Sequence, residues 1–135
     1  MKLVLSILIL LFCFQATNAQ VYKLKATGFS MKYEIEDNTW SEWSEWSECN
    51  VLCTIDVLKD RITIYSKETQ IYDVIEKEEE VIDDDGDWTL PFICIDNDGG
   101  RSRIRLMRRA EDEQLQLYVD YDDMKWVYNV YSLDN

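Results

Sequence analysis

Apolar and polar residues alternate along most of this chain, with the period of two that belongs to half-buried strands. Residues 21–27 place Tyr22, Leu24 and Ala26 on one face. Past Gly28 the parity inverts, so that Phe29, Met31, Tyr33 and Ile35 form the apolar set. A glycine at such an inversion predicts a β-bulge in one long bent strand, or a tight turn between two. Residues 50–58 read as a strand with Val51, Cys53, Ile55 and Val57 inward, and Lys59-Asp60 as a short hairpin turn before Ile62 and Ile64. Residues 69–76 are apolar on both sides, Ile71 and Ile75 against Tyr72 and Val74, which predicts a central strand.

Strands follow at 88–95, 101–108, 114–120 and 124–131, the last with Met124, Trp126, Tyr128 and Val130 on one face. Pro91 marks an edge or a bulge in the first of these. DNDGG at 96–100 is a strong turn signal, and DDDGD at 83–87 is a loop. No amphipathic helix stands out. The predicted fold class is all-β, an antiparallel meander of about eight to ten strands, either barrel-like or a two-sheet sandwich.

Residues 1–19 read as a signal peptide: Met1-Lys2, a short apolar run at 3–14, then Thr17-Asn18-Ala19 ahead of a cleavage before Gln20. That leaves 20–135 as a single β-rich domain in the periplasm or outside the cell. All 27 acidic residues lie in it and Lys2 leaves with the leader, so the mature net charge is 13 − 27 = −14. Such a charge excludes nucleic acid and anionic membrane surfaces as partners. No later apolar run has the length of a membrane span. Cys49, Cys53 and Cys94 remain after cleavage, and an oxidising compartment predicts one bond among them. Cys49 and Cys53, if extended, have Cα atoms about 13 Å apart, too far to bridge, so Cys94 with either is the expected pair. A C-x₃-C with no second pair and no histidine is a poor zinc site.

Trp40, Trp43 and Trp46 recur at a strict spacing of three in WSEWSEWSEC. In a strand Trp43 would face away from the other two, whereas a polyproline-like or rippled backbone puts all three on one side. Extended or irregular structure is expected, with Ser and Glu facing water. Together with CNVLC, the stretch resembles the opening of a thrombospondin type 1 repeat, where tryptophans interleave with arginines of a neighbouring strand. That resemblance implies Arg101, Arg103 and Arg105 as stacking partners. It covers residues 40–53 and then departs: Thr54 stands where that family has glycine, and the cysteine framework is sparser. The overlapping boxes at 40–44 and 43–47 are similar to the WSxWS box of cytokine receptors, which in that family lies near a domain end. Over nearly the whole mature chain, YKLKATGFSMKY, IYSKETQIYDV, CIDNDGG, LQLYVDY and WVYNVY resemble small exported β-rich proteins of Bacteroidetes bacteria that are themselves uncharacterised. This implies export and a β-rich fold and carries no functional residue across.

The chain has no histidine, which removes the commonest general base and the usual partner of a nucleophile, and no glycine-rich phosphate loop; an enzyme is not expected. Asp83, Asp85 and Asp87 point to weak calcium binding, but neither acidic loop keeps the EF-hand register, and turn chemistry is ranked first. No cofactor is expected otherwise. The arginine cluster at 101–109 is read first as cross-strand ion pairs and second as an anion-binding strip. Two functions result. The one placed ahead is an interaction module that binds a protein or glycan through Trp40, Trp43 and Trp46, with Arg101, Arg103 and Arg105 nearby. The other is a lipocalin-like carrier of a small apolar ligand in an aromatic-lined barrel.

Overall fold

A computed structural model describes residues 21–133, so the expected leader lies outside the described residues. Ten strands follow in chain order: β1 (Val21–Glu36), β2 (Thr39–Trp40), β3 (Ser47–Asp56), β4 (Arg61–Ile64), β5 (Gln70–Lys77), β6 (Val81–Ile82), β7 (Trp88–Asp96), β8 (Arg101–Arg108), β9 (Leu115–Asp120) and β10 (Met124–Ser132). Eight of them pair antiparallel in the order β1-β3-β4-β5-β7-β8-β9-β10, and β10 returns to β1. The meander is therefore a closed barrel rather than a sandwich, with β2 added to β1 and β6 to β7. No helix in the described residues is long and apolar enough to cross a membrane.

Closure depends on β1. It pairs with β3 from Val21 to Phe29 and with β10 from Leu24 to Tyr33, and both registers shift between Ala26 and Gly28. The parity inversion seen in the sequence is thus a bulge in one long strand. A bulge adds twist, and a small barrel needs its strands to coil tightly. A Cβ on Gly28 would lie 3.4 Å from the ring of Trp46, so the bulge is also where a tryptophan approaches the backbone.

Inward residues fall into three levels. At the upper end, Tyr72 donates to Gln70 Oε1 at 2.7 Å and Gln70 Nε2 reaches the Tyr128 hydroxyl at 3.2 Å. Tyr121 donates to Asp96 at 2.7 Å and stacks on Trp126 at 5.4 Å. These aromatics line the upper mouth; the hydroxyls of Tyr72, Tyr121 and Tyr128 are bonded, whereas the buried Trp126 Nε1 has no partner among the described residues. The middle is dry: Ala26, Cys53, Ile62, Ile64, Cys94, Ile104, Leu117 and Val119 are fully buried. Below it, Leu24, Ile55, Val74, Leu90, Phe92, Leu106 and Leu115 surround open space.

Two expectations are corrected. Residues 69–76 do not form a strand buried on both faces. Tyr72 points inward, whereas Ile75 is 57 % exposed at a bulge between Val74 and Glu76, because the outer face of a barrel wall meets solvent. Pro91 sits in mid-strand at a gap in pairing. The β5 partners end at Phe92, those of β6 begin at Thr89, and the Pro91 carbonyl accepts from Glu78 N–H at 3.0 Å. A strand residue aims its N and C=O the same way, so the missing donor faces that gap and breaks no ladder bond.

Candidate functional site

The open space at the lower end is a cavity of about 510 Å³. Its wall alternates correctly for an interior. Leu24 comes from β1, Ile55 from β3, Val74 from β5, Leu90 and Phe92 from β7, Leu106 from β8 and Leu115 from β9. Its volume lies within the range of small-ligand pockets, about 300–1,000 Å³, and such pockets combine an apolar lining with few polar groups. The polar groups gather at its mouth: Asp56, Asp60, Arg61, Lys77, Glu80 and Arg108. Arg61 is engaged on the outer wall by Asp73 at 3.1 Å. Asp56 accepts the backbone N–H of Lys59, and Glu80 accepts the indole N–H of Trp88 at 3.2 Å. The Arg108 guanidinium lies over the Trp88 ring at 5.7 Å. A depression of about 600 Å³ also lies over the upper end, but its rim is Lys67, Glu68, Asp96, Asn97 and Asp98, and its floor is the bonded Tyr72 and Tyr121.

The tryptophan stretch lies elsewhere, on the outer wall. Residues 41–46 run beside β1 as a strap held by a repeating device. Ser41 N–H donates to Tyr33 O at 2.8 Å while Ser41 Oγ accepts Tyr33 N–H at 3.0 Å. Ser44 N–H donates to Met31 O at 2.8 Å and Ser44 Oγ accepts Met31 N–H at 3.0 Å. Ser47 then pairs with Phe29 in the regular ladder. The strap advances three residues for every two of β1. Each of Ser41 and Ser44 offers its hydroxyl where an ordinary strand residue offers its carbonyl, which leaves one extra residue per repeat.

The rings lie over the outward lysines of β1 and β10. Lys32 and Lys125 are direct cross-strand partners, a repulsive arrangement on its own. Lys32 sits 5.7 Å from the Trp40 ring and 4.8 Å from Trp43, and Lys125 sits 4.8 Å from Trp40. Each exposed contact contributes ~0.5–1 kcal/mol. Trp43 meets Tyr118 edge-on at 6.1 Å, and Arg105 covers Tyr118 at 4.3 Å while pairing with Asp120 at 2.6 Å. Lysines therefore lie over Trp40 and Trp43, and none of the arginines that the thrombospondin resemblance implied as stacking partners does; Arg105 covers Tyr118 instead. Arg103 pairs with Glu78 at 2.9 Å, and Arg101 is exposed. Ion pairing thus accounts for Arg103 and Arg105, as the first reading of the cluster had it. Trp43 and Trp46 remain 38 % and 51 % exposed, bordering a groove of about 270 Å³ with Gln116, Tyr118 and Arg109.

Cys49, Cys53 and Cys94 carry free thiols, so the expected bond to Cys94 is not formed. The topology gives the reason. Cys49 and Cys53 lie on β3 and Cys94 on β7, with β4 and β5 between them. Three interstrand steps of ~4.8 Å round the barrel separate them, and even the line across the interior exceeds the ~7 Å Cα limit of a disulfide. Burial pushes the Cys53 and Cys94 thiols up to about 12. Asp83, Asp85 and Asp87 bring ligand atoms within 4.8 Å of one another. Asp83 Oδ1 accepts the N–H groups of Asp85 and Asp87 at 3.0 Å, and Gly86 takes φ 85°, which is turn chemistry.

Sequence parity missed the lower mouth, although one signal was present. Arg108 shares the parity of Ile104 and Leu106, so a cation closes an inward-facing series. Lys77 gave no such signal, because the bulge at Ile75 turns it inward opposite Phe92. Comparisons with protein-family models, curated proteins and solved structures find no match for this chain.

Proposed function

We propose that the mature chain, exported and released from its leader, carries a small apolar ligand in the lower barrel cavity. The observation that carries this reading is the cavity itself: about 510 Å³ bounded by aliphatic and aromatic side chains and continuous with solvent at one mouth. An eight-stranded barrel has an interior just wide enough to be filled by side chains or to hold one small ligand. Here the middle level is filled; the upper end carries open depressions of about 600 and 360 Å³, and the lower cavity is more enclosed than either. Burial of an alkyl chain there would contribute ~0.8 kcal/mol per methylene. The interaction-module reading ranks second. It is favoured by the exposure of Trp46, and weakened because Ser41, Ser44, Lys32 and Lys125 already give the stretch an architectural task.

The test is calorimetric titration of residues 20–135 with dodecanol. Binding with a negative heat-capacity change is expected. Leu106→Phe, which fills the cavity from its own wall, should abolish binding without lowering the melting temperature. Absence of heat with the wild-type chain at several temperatures would refute the carrier, as would undiminished binding by the filled variant. Trp46→Ala should leave dodecanol binding unchanged.

A further inference from the structure

Lys77 and Arg108 are the unusual groups at this mouth. Register aims both towards the barrel's inner side, Lys77 opposite buried Phe92 and Arg108 continuing the series Ile104, Leu106, and both are exposed at the rim. Both line the cavity. The chain has 27 acidic residues and only 14 basic ones, so an unpaired cation has many carboxylates to choose from. Arg61, Arg103, Arg105 and Arg109 each take at least one. Neither Lys77 nor Arg108 has a carboxylate within ion-pair distance among the described residues, which is equally true of Lys25, Lys59, Lys67 and Arg101; what sets the two apart is that they line the cavity. The Arg108 guanidinium is instead steadied by the Trp88 ring, which leaves its N–H fork free for an anion.

The acids at the same mouth are placed differently. Asp56 and Glu80 are already hydrogen-bonded to N–H groups of the chain, and Asp60 lies in the turn between β3 and β4. Two cations on β5 and β8, flanking β7 at the edge of an aliphatic pocket, match an alkyl chain that ends in an oxyanion. Guanidinium is the side chain best shaped for such a group, because its paired N–H donors match the two oxygens of a carboxylate.

We infer that the ligand is a single-chain amphiphile with a carboxylate head, its chain inside the lower cavity and its head held by Arg108 and Lys77. This rests on the carrier reading and specifies its ligand class. Affinity should rise about fourfold per methylene until the chain outgrows the cavity. Neutral and anionic chains of equal length should differ in proportion to the head contact.

The experiment compares dodecanoate with dodecanol on the mature chain, each below its aggregation limit, and on the double variant Lys77→Met, Arg108→Met. Dodecanoate should bind the wild-type chain about tenfold or more tightly than dodecanol, the scale of one hydrogen bond to a charged group. The variant should lose that advantage and keep dodecanol, whose binding also reports that the barrel is intact. Added salt should weaken dodecanoate alone on the wild-type chain, which keeps the test decisive if the variant does not fold. Equal binding of acid and alcohol to the wild type, or equal weakening of both in a folded variant, overturns the carboxylate assignment while the carrier stands. Binding of neither to the wild type overturns the carrier itself.

Discussion

Removing one hydroxyl from the strap tests whether the tryptophan repeat is built by its serines. Ser44 Oγ accepts Met31 N–H at 3.0 Å and lies 3.3 Å from Ser30 Oγ. Ser30 is only 1 % exposed and donates to the Ser44 carbonyl at 2.7 Å, so the two serines lock strap to wall. Ser44→Ala deletes the acceptor and keeps the backbone bond. The lost hydrogen bond costs about 1 kcal/mol, and the stranded Met31 N–H would add on the order of 1–3 kcal/mol if it stayed dry. Because the bond lies at an exposed edge, water recovers most of the second amount, and we expect a total near ~1–1.5 kcal/mol. For a domain of this size that lowers the melting temperature by roughly 3–8 °C. Ser44→Thr keeps the oxygen and should stay within ~0.5 kcal/mol of wild type. Ser47→Ala is the internal control, since Ser47 belongs to the ordinary β3 ladder and its hydroxyl has no partner among the described residues. Urea denaturation with a common slope, supported by calorimetry, measures all three. If Ser44→Ala and Ser47→Ala prove equally stable, the hydroxyl-for-carbonyl device does not hold the strap, and the account of the three-to-two register is wrong.

Two further outcomes concern the buried acids of the core. Burial raises the folded-state pKa of Cys53 and Cys94 from 9.0 to about 12 and that of Tyr121 from 10.0 to about 12. Below pH 9 these groups are protonated in both states; above it the unfolded chain releases protons that the folded chain retains, so stability falls from pH 9 towards 12. Cys53 alone should subtract on the order of 1.4 kcal/mol per pH unit in that window. Urea midpoints at successive pH values should therefore decline above pH 9, less steeply for Cys53→Ala, and a flat profile would contradict the burial. Alkylation of folded residues 20–135 without reductant should modify Cys49 first, because it is the least buried, and leave Cys53 and Cys94 untouched until denaturant is added. A mass two hydrogens short, or fewer than three modified thiols after unfolding, would show a disulfide that the strand order forbids.

The barrel was legible in the sequence wherever alternation ran unbroken. Leu24, Ala26, Cys53, Ile55, Ile62 and Ile64 are inward as their parity requires, and the inversion at Gly28 marked the bulge. Closure was not legible. Nothing local in 124–132 says that β10 returns to β1 rather than ending a second sheet, since that pairing joins the two ends of the described chain. The second bulge escaped for a related reason. No glycine marks Ile75, so the inward turn of Lys77 emerges only from the pairing with β7. The tryptophan spacing showed that an ordinary strand was unsuited to 40–46. It did not show that the serines, rather than the tryptophans, make the bonds that set the period.

The strap and the cavity are separate consequences of the same bent strand. Beyond Gly28, β1 runs past the regular ladder of β3, and its outer edge would be left with unpaired N–H groups at Met31 and Tyr33. A strand edge of this kind invites pairing with another chain. The serines of the strap bond those two groups, and the tryptophans shield the paired lysines beside them. This explains why so aromatic a stretch lies flat against the wall. At the other end of β1, Leu24 faces the unfilled level, where β6 adds only two residues and the 83–87 turn lies outside the barrel. On the carrier reading the ligand lies inside the barrel, whereas Trp40, Trp43 and Trp46 lie on the outer face of its wall. Substitutions in the strap should therefore register in stability, and substitutions at Leu106, Lys77 and Arg108 in binding.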